Sequence, residues 1–272
     1  MSGSNLSATD SSCADSSPPA EAAELRRAGA SADKSATADG AVIQVDALSF
    51  TYPDGRLALD GISLTVRDGE RIGLIGANGA GKSTLLLHLN GILPSNGRVR
   101  VLGMKVERPN LKAVRQSVGL VFQNPDDQLF CPTVGDDVAF GPRQLRLPEE
   151  EVAARVRDSL AAVGLSGFEG RSAFHMSVGE KKRVAIATVL SMNPKVLVLD
   201  EPTSNLDPRS RKELIRLLRR LGGTQVIAAH DLDLVRTLCD RAVLLSKGRN
   251  VAEGAPEKLL GDTALLEANG LE

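Results

Sequence analysis

Three cysteines, Cys13, Cys131 and Cys239, lie far apart in this chain of 272 residues, and no two stand at C-x-x-C spacing. They form neither a disulfide framework nor a cysteine metal site, and a reducing cytoplasm suits them best. The three histidines, His88, His175 and His230, are equally scattered, so these residue types build no transition-metal cage. No apolar run approaches the roughly 18 residues needed to cross a bilayer. If the protein works at a membrane, it docks there through another protein. Neither sign of charge is in excess, with 33 basic and 34 acidic residues, so nothing marks a binder of nucleic acid. Internal repeats are absent, and no apolar h-region follows the start.

What is present is a hydrophobic fraction of 42%, enough for a sizeable core. Residues 1–40 are rich in Ser, Ala, Asp and Gly and lack aromatics, so they are expected to form a disordered tail. The folded domain is expected over 41–272. It opens with short alternating segments at 42–45, 48–52 and 62–66, separated by turns at Pro53-Asp54-Gly55 and Asp68-Gly69, an antiparallel β-rich start. The pattern then changes. Arg71-Ile72-Gly73-Leu74-Ile75, 118–122, 196–199 and 225–229 read as strands buried on both faces, alternating with helical stretches. That order predicts an α/β core with a mostly parallel sheet covered on both sides. Between Gln123 and Ser177 the apolar strands stop, and Pro148-Glu149-Glu150-Glu151 opens a helix. Residues of about 124–177 are therefore expected to be an inserted α-helical subdomain.

The strongest chemical signal is Gly76-Ala77-Asn78-Gly79-Ala80-Gly81-Lys82-Ser83, the pattern G-x-x-x-x-G-K-[ST] between a predicted strand and a predicted helix. Glycines let the backbone wrap a phosphate, Lys82 adds positive charge near the β- and γ-phosphates, and the Ser83 hydroxyl suits Mg²⁺. The helix N-terminus adds partial positive charge. A second signal is independent. The apolar run 196–199 ends in Asp200-Glu201, and paired acids at the end of a buried strand are costly unless they serve a cation or a proton transfer. Asp200 can hold hydrated Mg²⁺, and Glu201 can deprotonate an attacking water. The chemistry expected is ATP binding with Mg²⁺, followed by hydrolysis.

Together these residues carry a resemblance. From Val42 to its end the chain resembles the ATP-binding subunit of an ABC transporter, which implies a P-loop NTPase core, an antiparallel β subdomain and the helical insert. It also implies ATP contacts from Gly76, Asn78, Gly79, Ala80, Gly81, Lys82, Ser83 and Thr84. Tyr52, the single tyrosine, resembles the aromatic that stacks on adenine. Gln123 resembles the glutamine that reaches the metal and the attacking water. Ser204-Asn205-Leu206-Asp207 resembles the loop that touches the opposite subunit, and His230 the histidine at the γ-phosphate. Met176-Ser177-Val178-Gly179-Glu180 matches the family signature, usually Leu-Ser-Gly-Gly-Gln, which completes the partner's ATP site. Ser177 and Gly179 are kept, whereas Val178 places a β-branched side chain where glycine lets the backbone come close. The basic run Lys181-Lys182-Arg183 is read as a solvated helix face.

Residues 121–130, with Thr133-Val134 and the stretch 137–142, resemble more narrowly the ATPases of energy-coupling factor importers of vitamins or of cobalt and nickel ions. The resemblance implies an ATPase dimer, of one chain or of two related ones. It further implies a membrane-embedded coupling protein, a membrane subunit that binds the cargo, and a peripheral position on the cytoplasmic face of the cell membrane. Acids 126, 127, 136 and 137 are either solvated loop acids or contacts for basic residues of the coupling helices. The chain stops early, like the cobalt/nickel type. A vitamin-type ATPase, a soluble ABC ATPase and an ATP-gated binding module without turnover are the alternatives.

Overall fold

The computed structural model describes residues 40–271; apart from Gly40, the expected tail lies outside the described residues. The two short strands expected at the start are one continuous strand. β1 (Ala41–Thr51) pairs antiparallel with β2 (Leu57–Arg67), and irregularities in register, one of them between Val45 and Leu48, absorb the polar break. Ala47 sits there at φ 43. β3 (Arg71–Ile75) leads into the glycine-rich loop and then α1 (Lys82–Leu89). β4 (Val99–Val101) and β5 (Met104–Lys105) complete a four-stranded sheet of order β2-β1-β4-β5.

After α2 (Leu111–Ser117) comes β6 (Val118–Val121). Residues 124–177 then contain the helices α3 (Val134–Gln144) and α4 (Glu149–Ala162) with short 3₁₀ turns, and no strand. Three glutamates fill the first turn of α4, where the helix dipole favours negative charge. The chain returns through α5 (Val178–Leu190), β7 (Val196–Asp200), α6 (Pro208–Leu221), β8 (Thr224–Ala228) and α7 (Leu232–Leu238). It closes with β9 (Arg241–Ser246), β10 (Arg249–Gly254), α8 (Pro256–Leu259) and α9 (Thr263–Ala268).

The second sheet runs β10-β9-β3-β8-β7-β6, parallel except at β10. Side chains alternate across it. Val196 and Val198 of β7 enter the core shared with α1 and the antiparallel sheet, while Leu197 and Leu199 enter the core shared with the helices. Each buried aliphatic contributes roughly 1.5–3 kcal/mol, which holds this sheet rigid. Parallel strands also share a direction, so β3, β6, β7 and β8 all end on one edge. The loops leaving those four ends carry the chemistry.

Candidate active site

The loop after β3 lies close against its neighbours. Gly76 has φ 152, and a Cβ there would stand 2.2 Å from the carbonyl oxygen of Leu245 in β9. Gly81, at φ 103, would place one 2.7 Å from the Ala58 carbonyl of β2. Only glycine satisfies both the dihedral and the space. Gly81 also precedes α1 as an N-cap without a side-chain hydrogen bond, so the first-turn N–H groups of α1 keep their capacity for an anion. Lys82, 6% exposed, donates to the carbonyls of Gly76 at 2.6 Å and Ala77 at 3.2 Å. Its Nζ stands 3.7 Å from Glu201 Oε1, so the loop's charge faces the acid at the end of β7.

The Ser83 hydroxyl lies close enough to Asp200 to favour its charged form, and Asp200 Oδ1 is buried with no hydrogen-bond partner. Burial pushes its carboxyl above the ordinary range, and the charge of Glu201 adds to this, against the Ser83 hydroxyl and the fields of Lys82 and Lys182. A carboxylate oxygen left dry and unpaired beside a hydroxyl suits a hard cation that takes one or two protein oxygens and completes its shell with phosphates and water. Mg²⁺ therefore fits Ser83 and Asp200. Among the described residues no group of three or more His, Cys, Asp or Glu forms a metal cage of its own.

Glu201 is 6% exposed and adopts φ 42, a left-handed conformation that a non-glycine residue holds only under constraint. Its N–H donates to the Ala228 carbonyl at 2.9 Å. Its Oε2 accepts the backbone N–H of His230 at 3.1 Å and lies 2.7 Å from His230 Nδ1. The ends of β7 and β8 thus present an acid and an imidazole as one pair.

Tyr52 Oη is 3.1 Å from Thr84 Oγ1, and Phe50 supports the ring edge-on at 5.0 Å. Phe50 in turn meets His88 at 4.8 Å. His88 is fully buried and its imidazole is pushed down to about 4 by burial, so it is a packing residue kept neutral. A cavity of about 260 Å³ opens between Tyr52, the glycine-rich loop from Asn78 to Thr84, Gln123, Glu201 and His230. Asp200 reaches it through Ser83, and Gly76 lies at the foot of the loop. The cavity's lining, an aromatic ring and a glycine-rich loop facing an acid and an imidazole, makes a wall suited to a nucleotide.

Neither Ser177 nor Gly179 lines that wall. Ser177 caps α5, and a capping box ties it to Glu180, whose carboxylate takes the Ser177 N–H at 2.9 Å and hydroxyl at 2.8 Å. Val178 is the first residue of α5 and is 44% exposed. A Cβ on Gly179 would stand 3.1 Å from Ser210 Oγ of α6, so this glycine also lets two helices meet.

The basic run after the signature is not a solvated face. Lys181 pairs with Asp126 at 2.7 Å, and Lys182 is 4% exposed. The reading by charge missed a periodicity: Lys182 shares a helix face with the buried Ala185, Ile186 and Val189. Arg56 was also missed; its guanidinium lies 4.8 Å from the centre of the Tyr52 ring, within the cavity. Of the loop acids, Asp136 binds Thr133 and Arg143, while Asp137 is buried and accepts the N–H groups of Phe130 and Cys131. Asp137 is therefore a structural acid.

The family of ABC transporters matches residues 59–204. A putative ABC transporter ATP-binding protein of Gloeobacter violaceus is 52% identical over 231 residues, covering 84% of this chain and 95% of that protein. The energy-coupling factor transporter ATP-binding protein EcfA of Methanothermobacter thermautotrophicus is 50% identical over 236 residues, covering 85% of this chain and 76% of that protein. Among solved structures, cbiO1 from Clostridium perfringens, part of the ABC transporter complex cbiONQ, superposes with a TM-score of 0.74 at 40% identity, covering 86% of this chain and 96% of that one. A dimeric ATP-binding cassette in a post-hydrolysis state, bound to ADP and Pi, gives a TM-score of 0.70 at 26% identity, covering 79% of this chain and 98% of that one.

Proposed function

Because the chain belongs to the ABC transporter family as an ATP-binding subunit that couples hydrolysis to transport, we propose that it powers an energy-coupling factor importer of a cobalt or nickel ion. The observation that carries the importer type is the 40% identity to cbiO1 across 86% of this chain, alongside several EcfA relatives near 50%. Cargo recognition then lies on another subunit, since the described residues hold no metal cage.

In this reading adenine stacks on Tyr52, and the phosphates lie along the loop from Gly76 to Thr84. Ser83, Asp200 and Gln123 would hold Mg²⁺, which would supply positive charge against the phosphates. Glu201 takes a proton from the attacking water, and His230 holds the γ-phosphate and orients Glu201. Lys82 leaves its carbonyl partners for the phosphates, an exchange that frees the 3.7 Å approach to Glu201. Ser177 and Gly179 of a second subunit, identical or related, complete the site in this reading; neither lines the cavity of its own chain, which fits a role towards a partner.

The helical insert, 124–177, carries the signal to the membrane. Phe130 and Phe140 are exposed, 63% and 44%, and stack edge-to-face at 5.1 Å beside the 3₁₀ turn Pro125–Asp127. Such a pair suits the cytoplasmic helices of a membrane-embedded coupling protein, with a separate membrane subunit binding the cargo. No helix among the described residues is long and apolar enough to cross a membrane, which is consistent with a peripheral place on the cytoplasmic face.

Two experiments test the proposal. Glu201→Gln traps an ATP-bound dimer with turnover reduced at least 100-fold; hydrolysis at the parent rate would remove Glu201 from the role. Purification of the membrane complex, followed by uptake of radioactive cobalt, nickel or vitamins into vesicles, identifies the cargo. Vitamin uptake without metal uptake overturns the metal assignment, and co-purification with ribosomes or DNA overturns transport.

A further inference from the structure

Lys182 projects from the second turn of α5 into the layer between the helices and the catalytic edge of the parallel sheet. Its ammonium has three protons and meets three oxygens: the carbonyl of Gln123 at 3.1 Å, the carbonyl of Glu201 at 3.0 Å and the Ser204 hydroxyl at 3.1 Å. With 4% of the residue exposed, water cannot replace any of them. Those oxygens belong to two separate segments, the loop after β6 and the loop that joins β7 to α6. One side chain thus joins the helix that begins with the signature to the backbones of the glutamine and glutamate of the proposed mechanism.

The Glu201 end is the informative one. This residue stands at φ 42, and its carbonyl, turned towards Lys182, also accepts the Ser204 hydroxyl at 2.8 Å. A left-handed glutamate persists only where its surroundings over-determine it. The same twist that aims the carbonyl at Lys182 sends the carboxylate the other way, to Lys82 and His230. Loss of the ammonium would leave the Gln123 carbonyl short of a donor and the Glu201 carbonyl with Ser204 alone, through its N–H and hydroxyl, so the tie from α5 to the Glu201 peptide is lost and its carboxylate is held less firmly against its partners.

We propose that Lys182 is a positioning residue for hydrolysis: it holds the Glu201 and Gln123 backbones in register with α5, so that movement of the signature helix is felt at the attacking water's site. The proposal rests on the roles given above to Glu201 and Gln123. Lys182 touches no nucleotide-binding residue of the glycine-rich loop, so it separates hydrolysis from binding. Arginine does not substitute for it, because a planar fork cannot meet three convergent oxygens from one atom.

The test is single-turnover hydrolysis of radiolabelled ATP by the full chain, with ATP affinity measured separately by nucleotide fluorescence. Lys182→Met, which keeps the stem and removes the charge, is expected to slow hydrolysis at least 10-fold and to change the ATP Kd less than 3-fold. In a Glu201→Gln background the same substitution is expected to change residual turnover less than 2-fold, because it acts through Glu201. A merely structural residue would instead lower both quantities together and cost the same factor in either background. Either result, or hydrolysis at the parent rate, overturns the proposal. Should Lys182→Met fail to fold, Lys182→Arg decides: slowing of at least 3-fold at unchanged Kd supports the tether, and the parent rate overturns it. Parent-rate hydrolysis by Glu201→Gln alone refutes the role of Glu201, and the tether is then judged on Lys182→Met by itself.

Discussion

Asp200→Asn should make the nucleotide-free protein more stable while it removes the Mg²⁺-dependent part of ATP binding. In the structure the Asp200 carboxylate keeps one oxygen dry and unpaired, and burial together with the Glu201 charge holds its pKa above the ordinary value. The sign follows directly. Between the unfolded and folded pKa values the folded chain binds more protons, so stability from this group falls as pH rises, and at neutral pH the charge is a net burden. Asparagine mimics the protonated form. An unsatisfied buried acceptor costs about 1–3 kcal/mol. Part of that is offset by lost attraction to Lys82 and Lys182, which leaves about 1 kcal/mol, or a rise in Tm of about 2–4 °C for a domain of this size. Saturating ligand adds about 2.7 kcal/mol at one hundred times its Kd. Wild type should gain that increment with Mg-ATP, and Asp200→Asn should gain no more than with ATP in EDTA. Thermal unfolding by scanning fluorimetry, with ATP and either Mg²⁺ or EDTA, reads both effects. A lower Tm for the nucleotide-free variant, or an undiminished Mg²⁺ increment, would refute the reasoning.

Val178→Gly should raise multiple-turnover hydrolysis several-fold without altering ATP affinity of the single chain, because Val178 is exposed at the start of α5 and, in the proposed dimer, would face the partner's phosphates; an unchanged rate at saturating ATP shows that it does not limit closure. Tyr52→Ala should weaken ATP binding at least 5-fold, since base–aromatic stacking is worth about 1–3 kcal/mol, and inorganic triphosphate binding should be unaffected; titrations with both ligands check this. Lys182 is pushed down by burial to about 8 from about 10.5. Between those values the unfolded chain binds more protons, so the stability of wild type relative to Lys182→Met should rise from pH 8 to 10.5 by up to about 3 kcal/mol. Chemical denaturation across that range checks it, and a flat difference would count against the buried ammonium.

The amino-acid sequence by itself determined the parts whose signal is local. The glycine-rich loop was legible because Gly76 and Gly81 occupy a dihedral and a space closed to other residues. The parallel sheet was legible because strands buried on both faces must be apolar without alternation, as 196–199 is. Helices α6 and α7 carry their own caps in Asp207 and Asp231. The tertiary structure alone decided which distant residues share an environment. It joined β1 through irregularities in register, because pairing with β2 outweighs the local polar break. It buried Asp137, where two N–H groups needed an acceptor, and it brought Arg56 over Tyr52. Above all it turned Lys182 from an apparent surface charge into a buried ammonium. A sequence shows the lysine's charge and its helix face. Whether that face meets water or three convergent oxygens depends on where Gln123, Glu201 and Ser204 come to rest, and those positions are set by packing between segments far apart in the chain.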